Sequence, residues 1–546
     1  MQAKIHANQY MMRKRMIINL LFLLSVVFAV SCEETIVERK RTTVDLSDTD
    51  FIYLKDNHFE LRNEKFFPVM LNYVISCRDI DNTFIISPSI DYEEVGVFES
   101  NTKEEIEHQM SGHFQLIKEM GFNSIRLCFD RIDSQINDKK IKYFYYTDGK
   151  EYFINTDYEQ ILSGLETLVN IAGEKGLRIM LLIKNPWEDK DLEDFTKKIL
   201  LHFKDNPVIF AYDLMNEPLY FDTDDLRNKT GLFKVISYWQ DIIYEYAPNQ
   251  LFTIGLAEPI EVNIWDPALL PVDFVAFHTY HPLRVKSEIY WYSTYCGKPW
   301  MLGETSLPSD NDSIPYEHQT DFLREVYQYV VDCGGAGFGW WDFQEAAHGN
   351  FEARFTGILN HEGITTTQDG RYSIIGTIKP AARLLPELVN YQPQEKVRPI
   401  NYFNMLGYNN YVIKGKVINK KNDQPIEGAV IRGWNKYWNI GVNTYSDENG
   451  DYTLYSNDEM IRFSVSAPKM KRIRFEKTLK YNQIVDGVFD RDNLPDQYLE
   501  YQQISYKPLF KDSATSVFDF EPTKFNQAKF EAKMKNIYLT PIKIRQ

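Results

Sequence analysis

Between Phe66 and Val389, short and nearly continuous apolar runs alternate with longer amphipathic stretches. The short runs are Phe67–Asn72, Ser124–Phe129, Arg178–Ile183, Val208–Leu214, Leu251–Gly255, Phe274–His278, Trp300–Gly303 and Gly337–Trp341. Apolar runs of this length without alternation suit strands buried on both faces, as in a parallel sheet. Between them, Glu104–Met120, Tyr158–Gly173, Leu192–Phe203, Leu232–Tyr246 and Glu317–Cys333 place apolar residues at helical spacing. Gly121, Gly173, Gly176 and Pro248 supply the stop signals. Strands alternating with helices in this way predict an α/β protein, a (β/α)8 TIM barrel over residues 51–395. An open doubly wound sheet is the alternative. It usually carries a glycine-rich phosphate loop after its first strand, and Asn72-Tyr73-Val74-Ile75-Ser76 is nothing like one.

The excess length lies in Cys77–Thr102, Arg131–Thr156 and Phe343–Lys379, all after strand ends, where barrel insertions wall a cleft. Past Pro399 the pattern changes to clustered β-formers: Val412–Ile418, Ala429–Ile431, Tyr452–Leu454 and Arg462–Val465. The turn signals Asn422-Asp423 and Asn449-Gly450 separate them. A small all-β sandwich is expected over residues 408–546. At the other end, basic Arg13-Lys14-Arg15 precedes an apolar run, Ile17–Val30, that is too short for a typical membrane span and reads as a signal segment. Ala29-Val30-Ser31-Cys32 resembles a bacterial lipobox, which makes Cys32 the expected acylation site and residues 33–50 a polar tether. Plain signal cleavage beside a coincidental cysteine is the other reading. Glu33-Glu34 resembles an acidic export tag, so the expected location is the outer membrane, facing the exterior, with the periplasm as the alternative.

Composition narrows the field. The 546 residues are 44% hydrophobic and 25% charged, which excludes collagen-like, wholly disordered and multi-spanning chains. Asp plus Glu exceed Lys plus Arg by 77 to 61, a net charge of −16 that repels phosphate backbones and argues against nucleic acid. Cys77, Cys128, Cys296 and Cys333 show neither CxxC pairs nor regular spacing, so buried free thiols are expected rather than a zinc site or a disulfide framework. The ten histidines include no HExxH, which weighs against a metallohydrolase.

The candidate chemistry sits at strand ends. The fourth run leads into Asn216-Glu217-Pro218 and the seventh into Glu304. In a barrel these carboxylates face each other across the mouth, and cleavage of a glycosidic bond needs such a pair: one to protonate the leaving oxygen, one to attack or to activate water. Glu258, after the fifth run, could line the cleft without reacting.

On these motifs the barrel segment resembles a clan A glycoside hydrolase, closest to family 5, the cellulase and mannanase family. The resemblance implies an O-glycosyl hydrolase without metal or organic cofactor, with Glu217 as acid/base and Glu304 as nucleophile. It further implies that Asn216 bonds the sugar 2-hydroxyl and that Arg126 keeps the nucleophile ionised. His278 and Tyr280 would orient the carboxylates, and Trp341 would form the platform under the sugar. Each also has a plain structural reading, Trp341 above all, because neighbouring Trp340 and Trp341 point opposite ways on a strand. The third strand departs from the family: where many members place a histidine, this chain has Ile183-Lys184-Asn185-Pro186-Trp187. Lys184 and Trp187 are candidate subsite residues. The C-terminal region resembles a carboxypeptidase regulatory-like sandwich. Its acidic turn Ser446–Tyr452 lacks EF-hand spacing, so calcium is not expected. Trp434, Tyr437 and Trp438 there suit either sugar stacking or docking. The expected substrate is a β-linked polysaccharide such as mannan or glucan, with a non-catalytic glycan-binding protein as the competing reading.

Overall fold

The computed structural model describes residues 36–37, 45–80, 83–89, 100, 102–129, 135–137, 140–147, 150–183, 190–218, 228–346, 349–478, 483–485 and 530–545. Eight parallel strands form the barrel: β1 (Val69–Ile80), β2 (Ser124–Phe129), β3 (Arg178–Leu182), β4 (Ile209–Asn216), β5 (Leu251–Leu256), β6 (Val275–His278), β7 (Trp300–Glu304) and β8 (Phe338–Trp340). They pair in chain order, and β8 closes on β1 through Phe338–Val69, Gly339–Met70 and Trp340–Leu71. Every residue of β5, β6 and β7 is buried, as near-continuous apolar runs require when helices cover one face and the interior fills the other.

One end of the barrel is plugged. A three-stranded antiparallel sheet (Tyr53–Lys55, His58–Leu61, Glu64–Phe66) lays Phe59 edge-on against Phe210 and Phe274, at 6.1 and 5.1 Å between ring centroids. Ile52 and Phe59 complete an apolar layer with Met70, Met180, Leu251 and Met301. The opposite end holds the polar side chains.

The helices follow the periodicity: α1 (Lys103–Glu119), α2 (Tyr158–Glu174), α3 (Lys190–Phe203), α4 (Lys229–Tyr246) and α6 (Tyr316–Asp332), with α5 (Val285–Tyr295) between the last two. Helix α1 starts in a capping box: Thr102 accepts from the Glu105 backbone, and the Glu105 carboxylate accepts from the Thr102 backbone. Helix α5 escaped the pattern reading for a physical reason. It is covered on two sides, with Tyr292 stacked on Phe277 of the barrel (4.0 Å) and the Trp291 indole donating to the Gly428 carbonyl of the C-terminal region (3.0 Å), so only a narrow polar stripe of Lys286, Ser293 and Thr294 marks it. Gly428 itself sits at φ +70°, and a Cβ there would strike the Tyr295 ring.

The insertions are structured. Strand β1 continues past the barrel to Ile80 and turns back antiparallel along Thr83–Pro88. The insertion expected over Arg131–Thr156 to wall a cleft includes three antiparallel strands, Gln135–Asn137, Lys140–Thr147 and Lys150–Asp157. Lys184, Trp187 and Cys32 lie outside the described residues. Cys128, Cys296 and Cys333 are free and buried. Among the described residues no helix is long and apolar enough to cross a membrane. Separately, the short segments Ile36–Val37 and Ile544–Arg545 pair in parallel.

The C-terminal module is a β sandwich. One sheet runs β11 (Gly441–Tyr445), β10 (Val430–Asn435), β13 (Met460–Ser466), β14 (Ile473–Thr478), β15 (Gln483–Val485). The other runs β12 (Asp451–Ser456), β9 (Tyr411–Asn419), β16 (Phe530–Lys533), with β17 (Ile537–Leu539) also on β9. It is joined to the barrel by buried polar bonds. The Lys229 ammonium pairs with Asp266 and donates to the Ala467 carbonyl, each at 2.8 Å. The Lys469 amide returns to Asp266 at 2.8 Å. Ser464 and Ser466 donate to Asn263 and to the Val262 carbonyl, in the buried 3-10 turn Pro259–Asn263 that follows β5.

Removing one partner of a buried ion pair leaves the other charge desolvated and uncompensated. Lys229→Met is therefore expected to destabilise the chain by about 3 kcal/mol, read as a lower urea midpoint. A change below about 1 kcal/mol, the scale of exposed pairs, would mean that water reaches this joint.

Candidate active site

Arg126, pointing inward from β2 and fully buried, organises the polar end of the barrel. Its Nε and Nη2 donate to Asp213 Oδ2 at 2.9 and 2.8 Å, Nη1 donates to Asn72 Oδ1 at 3.1 Å and to Glu304, and Nη2 also reaches Asn216 Oδ1 at 2.8 Å. One planar guanidinium thus fastens the ends of β1, β4 and β7 to β2, using the forked donor geometry peculiar to arginine. Asn72 in turn donates to the carbonyls of Gly303 and Trp340, at 3.1 and 2.9 Å, which fixes its amide orientation. Asp213 spends its other oxygen on the Gly255 amide, at 3.0 Å.

Glu304 ends β7 and is 3% exposed. One carboxylate oxygen takes the Arg126 donor and the other takes the Tyr280 hydroxyl, so both oxygens are oriented from outside their own strand. Glu217 ends β4 in a left-handed backbone conformation (φ +44°), uncommon for any residue but glycine and a form of strain that concentrates at functional sites. Its amide bonds the Gly255 carbonyl at 2.8 Å, and its Oε1 lies 2.9 Å from His278 Nδ1. Burial lifts the Glu217 carboxyl to about 7, against the lowering pull of Arg126 and with a further raise from the charge of Glu258. Burial also holds His278 down to about 4, so the imidazole is neutral at physiological pH, and Nδ1 is the ring nitrogen that faces Glu217.

Two glycines seat the His278 ring. A Cβ at Gly255 would lie 2.9 Å from its Cε1 and Nε2, and one at Gly303 would lie 3.1 Å from its Cδ2 and Nε2. The ring is wedged between β5 and β7, and only bare backbone leaves it room.

The two tryptophans of the eighth run separate. Trp340 is fully buried against Phe322, with its indole donating to the Thr356 carbonyl, whereas Trp341 is half-buried at the polar end, its amide bonded to the Thr305 carbonyl. Glu217, Glu304, Arg126, Asn216, His278 and Tyr280 are all brought together. Sequence reasoning missed Asn72, Asp213 and Gly255. The first two are short polar residues inside apolar strand runs, a signal available but not used. The third is a glycine whose necessity depends on a ring from another strand. Glu258, set aside as a non-reacting neighbour, is buried and paired with Arg284 at 3.2 Å, and Arg284 also faces Glu288 at 3.8 Å. A second buried group, Lys379 with Glu345 (2.6 Å) near Asp342, lies behind the end of β8. Desolvation drives the Asp342 carboxyl well above the usual range.

One donor atom each from Glu217, His278 and Glu304 lie within 4.8 Å of one another, close enough in principle to share a cation. These atoms already have partners: Glu304 takes Arg126 and Tyr280, and Glu217 and His278 bond each other. A cation there would also meet the Arg126 charge. The arrangement suits proton transfer and nucleophilic attack between two carboxyl groups.

Residues 89–344 match the family model Cellulase (glycosyl hydrolase family 5). Comparison with curated proteins returns no significant match. Among solved structures, similarity extends to an endo-1,4-beta-mannanase from Rhizomucor miehei (15% identity, covering 56% of this chain and 93% of that one, TM-score 0.39). It also extends to an exo-beta-1,4-mannosidase from Opitutaceae bacterium strain TAV5 (18% identity, 63% and 61% covered, TM-score 0.41). A third is a beta-glucuronidase from Ruminococcus gnavus (12% identity, 62% and 52% covered, TM-score 0.40). The family match spans β2 to β8 and both strand-end carboxylates, and on that ground the chain is an O-glycosyl hydrolase whose barrel is similar to family 5.

Proposed function

We propose that the protein is a retaining β-glycosidase that cuts a β-linked polysaccharide, β-mannan or β-glucan, by double displacement. The observation that carries this reading is the close approach of the two carboxyl groups, with one oxygen of each inside 4.8 Å. Inverting enzymes hold theirs roughly 6.5–9.5 Å apart to admit a water between, whereas retaining pairs stand about 5–5.5 Å apart.

In the first step Glu217 delivers its proton to the glycosidic oxygen while Glu304 attacks the anomeric carbon. The C–O bond to the leaving sugar breaks, and a glycosyl ester forms on Glu304. In the second, Glu217, now a carboxylate, takes a proton from water. The hydroxide adds to the anomeric carbon and Glu304 departs, so configuration is restored. Asn216 offers its amide N–H to the sugar, since its oxygen is occupied by Arg126. Neutral His278 serves both states of Glu217 without adding a charge. Trp341 provides the ring against the sugar face. We assign endo action, because long insertions after strands on the catalytic side would wall a groove, and surface tethering through a lipid on Cys32, which would place the enzyme beside external polymer.

Glu304→Ala is expected to lose about ten-thousand-fold in turnover, since no other group stands where the covalent ester must form. For the wild type, proton NMR should show the β-anomer first and chromatography should show mixed oligosaccharides early. An α-anomer would end the retaining assignment, and release of only mono- or disaccharide would end the endo assignment. The pH profile carries its own sign. Glu217 is the acid only while protonated, and its carboxyl sits at about 7. Hence kcat/KM should hold below pH 7 and fall as pH rises through it, about tenfold per unit, and the limb should vanish in Glu217→Gln assayed with an activated aryl glycoside that needs no acid. The anchor is checked by fractionation: Cys32→Ser should appear soluble and active, and its continued recovery with membranes would defeat the lipid assignment.

A further inference from the structure

We infer that the hairpin joining β10 and β11 in the C-terminal sandwich is a second glycan-binding site, separate from the catalytic mouth and built on Tyr437 and Trp438. The inference rests on the glycan-hydrolase reading for the class of ligand and on the hairpin's own geometry for the site.

The tip is held rigid by one side chain. Asn435 Oδ1 accepts from the amides of Tyr437 and Asn439, at 3.2 and 3.3 Å, and its Nδ2 donates to Asn439 Oδ1 and Asp458 Oδ2, at 2.7 and 3.1 Å. Arg462 reinforces it from β13, donating to the Lys436 and Asn435 carbonyls at 2.8 and 3.3 Å, with its guanidinium 4.4 Å from the centre of the Trp438 ring. Trp434 lies tilted against Trp438 at 5.6 Å and is itself core, 7% exposed.

On this frame the two outer rings are placed against the ordinary demands of folding. Trp438 occupies a left-handed position (φ +62°), where hairpin loops take glycine or asparagine. A bulky residue there is strained, and such strain persists where the surrounding structure enforces it and a function uses it. Tyr437 is 75% exposed, so its ring gains almost nothing from burial. An exposed Tyr437 ring beside a half-buried Trp438, framed by amide, carboxylate and guanidinium groups, matches the chemistry of a sugar chain. Apolar C–H faces lie on the rings and hydroxyls meet the polar rim. Aliphatic side chains, which a protein-docking or membrane-inserting tip would be expected to add, are missing from residues 436–439, and Ile440 packs against the core.

Its position fits a polymer. Ser464, paired with Arg432 of β10, bonds Asn263 in the turn that follows β5 on the catalytic side. Tyr437 lies five positions beyond Arg432, so at roughly 3.4 Å per residue the tip is within about 17 Å of the strand pair that touches that turn. One chain of several sugars can meet both.

The test uses the full chain. In a Glu304→Gln background, which cannot cut, affinity electrophoresis is run through gels containing galactomannan or mixed-linkage β-glucan. The parent should be retarded by at least one, and Tyr437→Ala combined with Trp438→Gly should weaken that retardation about tenfold. Trp438→Gly relieves the strained backbone, so circular dichroism and thermal midpoint should not suffer. With Glu304 intact, the double variant should cleave an aryl glycoside as the parent does while its kcat/KM on polymer falls. No retardation of the parent by either polymer, unchanged retardation of the double variant, or transfer of the hairpin's effect to phospholipid vesicles would each overturn the site. Failure of the parent to cleave any glycoside would instead overturn the hydrolase reading, so the two are told apart.

Discussion

The buried guanidinium of Arg126 is the constraint on which the rest of the catalytic end depends. A cation with no exposed surface is tolerable only when its donors are met, and here they are met by Asp213, Asn72, Asn216 and Glu304 from three other strands. Each partner is then limited in what else it can do. Asp213 is committed to structure, Asn216 has only its N–H left for a ligand, and Glu304 is aimed by a bond it did not choose. The chemistry of the mouth follows from how one charge is neutralised.

A division of labour between the two carboxyls results. Glu304 is bound on both oxygens by a cation and a phenol. Glu217 is set by burial, with a neutral imidazole as its near partner and the Glu258–Arg284 pair behind it, and it keeps its proton close to neutrality. In the proposed mechanism, two glutamates of identical chemistry take opposite duties because their neighbours differ, the general route by which acid and base are assigned at one pH.

Most of the barrel was legible because its strands are buried on both faces and so read as plain apolar runs, and because both key carboxylates stand directly at strand ends. What was not legible involved contacts between distant residues. Helix α5 hid because two different surfaces cover it. Gly255 looked ordinary because the imidazole that forbids a Cβ there comes from β6. Asn72 and Asp213 were visible as polar residues in apolar runs, yet their meaning lay in Arg126. The strands within Gln135–Asp157 were read only as an insertion, because they pair among themselves and not with the barrel sheet.

The joint between barrel and sandwich has a consequence in time. A ribosome delivers the chain from its N-terminus, and the indole of Trp291 emerges long before Gly428, as the buried ammonium of Lys229 does before Ala467. At roughly 5–20 residues per second, that surface waits on the order of ten seconds or more for its cover. Strand β9 has a wait of its own, since its parallel partner Phe530–Lys533 lies far downstream. During that interval the nascent barrel exposes a half-made wall, apolar surface of the kind that invites misassembly and that chaperones cover.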